Sequence, residues 1–162
     1  MHALRTGVSA LGCFDQEADD LSADSLHRKA LRLVAQMPVI VATFHRLRCG
    51  KQPLESDPSL GEAANFLYLI DGEKPSQEKE QTMDLCYILH ADHGMNASTF
   101  SARVTIATLS DIYSAITTAI GTLKGPLHGG ANEGVIKMLQ EIGSLDAVAP
   151  YVEHALAYKQ KN

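Results

Sequence analysis

The stretch SADSLHRKALRLVAQMPVIVATFHRL, residues 22–47, decides the fold class. Its apolar residues fall at Leu26, Ala30, Leu33, Met37, Val41 and Phe44, in steps of three or four. Such steps lay one apolar stripe along a helix, and no strand pairs its faces that way. Pro38 sits inside the pattern. It is expected to kink the helix, because it removes a backbone donor and crowds the preceding turn.

Working outward, the same spacing recurs and strand-like alternation is scarce. Residues 3–13 read as a short helix over Leu4, Val8 and Leu11, and the acidic stretch Asp15 to Asp20 as a solvated loop. Gly50, Pro53 and Pro58 mark 49–58 as a loop. Ser59 is read as the cap of a helix running to about Ile70, closed by Asp71-Gly72. Ser76 is read as the cap of the next, with Glu78 in its first turn facing the positive helix end. Its apolar positions Met83, Cys86, Tyr87 and Leu89 are expected in the core, Cys86 as a packing residue and not a nucleophile. Two Ala-, Thr- and Ser-rich helices follow, over 97–109 and 111–123. Val104, Ile106, Ile112 and Ile116 would suit strands, but the segments are long enough for buried helices. A helix over 131–142 is stopped by Gly143, 145–148 makes one more turn, and Pro150 opens a last helix. That helix ends in the exposed, basic Lys159-Gln160-Lys161-Asn162. The class is all-α.

Bulk properties narrow the function. The 162 residues are 45% hydrophobic with a net charge of −5, a globular composition without the basic stripe that nucleic acid requires. Cys13, Cys49 and Cys86 are odd in number and unpaired in spacing, which argues against a disulfide framework and for a cytoplasmic protein with reduced thiols. The N-terminus lacks the regions of a signal peptide, and no apolar run reaches the roughly 20 residues of a membrane span.

Two stretches concentrate chemistry. His90-Ala91-Asp92-His93-Gly94-Met95-Asn96 crowds polar side chains at a helix end. Metal binding, helix-terminal hydrogen bonding and substrate binding all fit, although the spacing matches no standard zinc pattern. Lys124-Gly125-Pro126-Leu127-His128-Gly129-Gly130-Ala131-Asn132 places a histidine between Gly-Pro and Gly-Gly, directly before a helix. Glycines permit unusual backbone and close approach of a ligand. The positive end of the helix disfavours imidazolium, and a neutral imidazole can donate to a carbonyl that becomes an enolate. A plain glycine turn with a packing histidine is the competing reading. The remaining histidines, His2, His27, His45 and His154, lie in ordinary helical or terminal contexts.

Together, residues 89–99 (LHADHGMNAST) and 125–132 (GPLHGGAN) resemble hallmarks of the citrate synthase family. Residues 4–12 (LRTGVSALG), 62–68 (EAANFLY) and 111–115 (DIYSA) resemble it as well, so the likeness spans essentially the whole chain. It implies a citrate synthase-like multi-helical segment: residues 1–128 as part of a large, dimer-forming helical domain and 129–162 as the beginning of a small domain. It implies a transferase of the tricarboxylic acid cycle that condenses acetyl-CoA with oxaloacetate through an enol or enolate. Acetyl-CoA is then a substrate, and no cofactor or metal is expected. By resemblance, His128 hydrogen-bonds the thioester carbonyl, His93 and Asn96 bind oxaloacetate, and His90 and Gly129 support them. The family's later Gly-x-Gly-His motif, its catalytic aspartate and its carboxylate-clamping arginines are expected beyond Asn162, so residues 1–162 alone are expected to be inactive. A homodimer or higher homo-oligomer is expected, with no membrane or nucleic-acid partner. Two other readings remain open: 2-methylcitrate synthase acting on propionyl-CoA, and a segment serving only as a helical dimerisation module.

Overall fold

The computed structural model describes residues 1–159. Among them are α1 (His2–Phe14), α2 (Ala23–Arg48), α3 (Glu62–Asp71), α4 (Gln77–His90), α5 (Ala97–Ile106), α6 (Ile112–Leu123), α7 (Gly130–Ile142), a 3-10 turn at Leu145–Ala147 and α8 (Val148–Lys159), with no strand among the described residues. The all-α expectation is borne out. The chain divides into two compact units, Met1–Thr122 and Leu123–Asn162.

In the first unit α1 packs on α2, α2 on α3, and α3 on α4. The core is Val8, Leu33, Tyr113 and Ile120, with Leu4, Leu11, Met37, Ile40, Ile112 and Ile116 against it. The stripe read from residues 22–47 thus supplies Leu33 and Met37, and α2 runs through Pro38 without a break. A side chain at Gly12 would meet the Tyr113 ring at 3.3 Å, so glycine lets α1 and α6 approach.

Polar groups fix the connections. Lys29 is fully buried. Its ammonium donates to the carbonyls of Glu17 (2.8 Å), Ala18 (3.0 Å) and Asp20 (2.7 Å), fastening the acidic turn onto α2. That turn is not simply solvated, as expected from sequence, because the Asp15 side chain is 6% exposed. Asp15 Oδ2 accepts from the Tyr113 hydroxyl at 2.6 Å and from Arg32 at 3.1 Å, and Asp15 Oδ1 accepts from Glu17 N–H at 3.0 Å. Chiefly through the Tyr113 hydrogen bond, the Asp15 carboxyl is held below its ordinary value. Burial, reinforced by that carboxylate, pushes the Tyr113 phenol up to about 12. Arg46 plays a similar part on the other side of α2, donating to the carbonyls of Gln52 (2.6 Å) and Ile70 (3.2 Å).

Several local expectations need correction. Ser59 does not cap α3. Its hydroxyl donates to Asp57 Oδ1 at 2.6 Å inside a turn, and Gly61 is the cap. Cys86 is exposed and not in the core, since α4 buries no residue. The helix expected over 97–109 ends at Ile106, and Leu109 then adopts φ 63°. The Asp111 carboxylate restarts the chain as α6 by accepting from Ser114 N–H at 2.9 Å. The last helix begins at Val148, two residues before Pro150. Ser76 does cap α4, and Gly72 and Gly143 close α3 and α7 in left-handed backbone. The basic end Gln160-Lys161-Asn162 lies outside the described residues.

Candidate functional site

The histidine-rich corner belongs to the first unit and joins α4 to α5. His90 closes α4, and its Nδ1 donates to the Cys86 carbonyl one turn back at 2.7 Å. A carbonyl only accepts, so the proton sits on Nδ1 and Nε2 is the neutral ring's acceptor. Asp92 Oδ1 accepts from Gly94 N–H at 2.7 Å, and the chain bends into the left-handed Gly94, φ 62°. Asn96 then caps α5, its Oδ1 accepting from Thr99 N–H at 2.9 Å. That bond assigns the amide's oxygen to the helix and leaves its nitrogen as the donor side. His93 lies between the Asp92 turn and the Asn96 cap. It is exposed and makes no side-chain hydrogen bond among the described residues. The corner therefore holds His93 on a defined backbone without consuming its ring, which suits a ligand-binding side chain.

The glycine-flanked loop belongs to the second unit. Four backbone hydrogen bonds stitch it: His128 N–H to Gly125 O (3.0 Å), Gly129 N–H to Leu123 O (3.0 Å), Gly130 N–H to Gly125 O (3.2 Å) and Ala131 N–H to His128 O (3.1 Å). The loop is closed on itself by these bonds. His128 is half-buried and stands two residues before Gly130, the first residue of α7. The positive end of a thirteen-residue helix thus begins beside it. The unusual backbone expected of the loop glycines is not found at Gly129 or Gly130. Gly129 has ordinary helical dihedrals, φ −64° and ψ −26°. What excludes a side chain there is space, because a Cβ would overlap the Leu123 carbonyl oxygen and meet Leu123 Cδ1 at 3.0 Å. Leu123, whose carbonyl anchors the loop, carries no sequence signal that could have revealed its part.

The first unit thus supplies His90, His93 and Asn96, and the second supplies His128 and Gly129. Among the described residues no group of three His, Cys, Asp or Glu side chains could hold a metal ion. Among the described residues no helix is long and apolar enough to cross a membrane.

The family model described as "Citrate synthase, C-terminal domain" matches residues 1–162. The chain is 55% identical over 161 residues to Citrate synthase 2 of Bacillus subtilis, covering 99% of this chain and 43% of that protein. It is 45% identical over 161 residues to a 2-methylcitrate synthase of Mycobacterium tuberculosis, covering 99% of this chain and 40% of that one. Among solved structures it resembles the citrate synthase of Thermoplasma acidophilum in ternary complex with carboxymethyl coenzyme A and oxaloacetate, with TM-score 0.83 and 32% identity over 91% of this chain and 39% of that one. The chain therefore spans about two fifths of the length of these proteins.

Proposed function

The chain belongs to the citrate synthase family, and from that premise we propose that it is the part of a synthase that condenses acetyl-CoA with oxaloacetate and then hydrolyses the citryl thioester with water, releasing citrate and CoA. The observation that carries this reading is the loop closed by those hydrogen bonds, which presents a half-buried histidine at a helix N-terminus behind a glycine that tolerates no side chain. Condensation needs the acetyl methyl carbon to become a nucleophile, and so needs its carbonyl oxygen to carry enol or enolate charge. A donor fixed in advance at that oxygen is worth about a hundred- to a thousandfold in rate. We assign that donor to His128 as the neutral imidazole, with Gly129 holding it in place.

His93 and the Asn96 amide bind oxaloacetate, whose ketone and carboxylates are acceptors, and His90 supports the corner through its bond to α4. Acetyl-CoA enters as substrate, and no cofactor or metal is part of the proposal. Removal of the methyl proton needs a base that we assign to no residue of this chain. Residues 1–128 form part of the large domain and 129–162 begin the small one. The protein is a homodimer or higher homo-oligomer in the cytoplasm. The exposed Leu85, Ile88 and Leu89 of α4 and Phe100 and Val104 of α5 support a self-association face, and three unpaired cysteines support a reducing compartment.

A second reading, 2-methylcitrate synthesis from propionyl-CoA, is favoured by the relative of that name. The two substrates differ by one methylene, worth about 1–3 kcal/mol. A free-CoA assay on a full-length synthase carrying residues 1–162 in place of its own matching segment separates them. Faster turnover with acetyl-CoA than with propionyl-CoA is expected, the reverse order would select the second reading, and no oxaloacetate-dependent CoA release would sink both. Residues 1–162 by themselves are expected to release none.

A further inference from the structure

Helix α5 carries no fully buried residue, and a circuit of hydroxyls ties it to α6. Thr122 Oγ1 lies 2.8 Å from Ser101 Oγ, Ser101 Oγ lies 2.9 Å from the Ser98 carbonyl, and Ser98 Oγ lies 3.1 Å from the Ala119 carbonyl. Carbonyls only accept and each hydroxyl has one proton, so a Ser101 hydroxyl that donates to Ser98 O accepts from Thr122. Thr122 Oγ1 has an alternative acceptor 3.1 Å away, the Thr118 carbonyl of its own helix. Donation to Ser101 adds a second link between the two helices, beside the bond from Ser98 to the Ala119 carbonyl. The grip falls on the first turn and a half of α5, immediately after the Asn96 cap and the His93 turn.

We propose that Ser101 and Thr122 are positioning residues for the keto-acid corner, setting His93 and the Asn96 amide through the N-terminal turn of α5. The proposal rests on the reading of His93 and Asn96 as oxaloacetate ligands. Neither hydroxyl reaches the ligand in this scheme. Their effect is felt in where the cap residue stands.

The test uses a full-length synthase carrying residues 1–162, with Thr122→Val (same shape, no hydroxyl) and Thr122→Ser (hydroxyl kept). It reads KM for each substrate and amide exchange at Thr99. Thr122→Val is expected to raise KM for oxaloacetate about three- to tenfold, the equivalent of one hydrogen bond. KM for acetyl-CoA stays within about twofold on the same scale, and Thr99 exchange quickens. Thr122→Ser restores all of these. An unchanged KM for oxaloacetate in Thr122→Val, with or without faster exchange, overturns the proposal, as does a serine variant that fails to rescue. His93→Ala in the same enzyme tests the underlying reading separately, since an unaltered KM for oxaloacetate there means that the corner is not the keto-acid site at all.

Discussion

Replacing Gly129 by alanine sets two physical arguments against each other. The dihedrals φ −64° and ψ −26° are ones that alanine adopts readily. On backbone freedom alone the substitution would stabilise the fold by about 0.4–1 kcal/mol. Space argues the opposite. The new Cβ overlaps the Leu123 carbonyl oxygen and presses on Leu123 Cδ1 at 3.0 Å. The overlapped oxygen is main chain and cannot swing aside as a side chain would. Regaining an ordinary carbon–oxygen contact of about 3.3 Å requires the loop to move by about 1 Å. That movement pulls apart the 3.0 Å bond from Gly129 N–H to the same oxygen. The lost bond costs about 1 kcal/mol and the overpacking about 1–3 kcal/mol, so the loop is destabilised by about 1–3.5 kcal/mol once the gain in backbone freedom is set against them. A displacement of about 1 Å at a catalytic group costs about a hundredfold in rate. Steady-state CoA release by a full-length synthase carrying the Gly129→Ala segment should therefore show kcat down about a hundredfold, with KM for oxaloacetate nearly unchanged. An alanine enzyme with wild-type kcat and undiminished stability would refute the steric argument and favour the dihedral one.

Other outcomes follow from the same contacts. Lys29→Met would strand the carbonyls of Glu17, Ala18 and Asp20 in a buried site. With a buried group left unpaired at about 1–3 kcal/mol each, thermal denaturation should show a loss of several kcal/mol. Tyr113→Phe should alter pH dependence at both ends. Because Asp15 is held below its ordinary 3.8, the stability it lends is present above that value and fades as acid protonates it. Denaturant melts of wild type and variant should thus converge below about pH 3.8. Because the phenol is raised from 10.0 to about 12, the wild type should also lose stability between those values as pH rises, a loss absent in phenylalanine. His93→Ala should raise KM for oxaloacetate about tenfold or more, the scale of a lost hydrogen bond to a charged partner, with KM for acetyl-CoA spared.

The elements that the sequence disclosed are those whose cause is local. The spacing from Leu26 to Phe44 announced α2, Ser76 announced its own helix, and Gly72 and Gly143 marked stops because left-handed backbone favours glycine. What stayed hidden depends on partners far along the chain. Lys29 reads as a surface cation until the carbonyls of residues 17–20 close over it. Asp15 reads as solvated until Tyr113, 98 residues later, donates to it. Cys86 looked apolar and central because α4 has the right composition, yet no residue of that helix is fully buried. At the site, the motifs pointed to the histidines but not to what holds them. Asp92 spends its carboxylate on Gly94, Asn96 caps α5, and Gly129 is required by a neighbouring carbonyl. Each is a backbone contact that residue types alone do not encode.

The most direct test of the central claim is His128→Gln in a full-length synthase carrying residues 1–162, with oxaloacetate binding measured by calorimetry beside CoA release. If His128 stabilises the enolic thioester, kcat falls by about a hundred- to a thousandfold while oxaloacetate binds as tightly as before. A glutamine enzyme that keeps its kcat, or that loses turnover only because oxaloacetate no longer binds, would contradict the assignment.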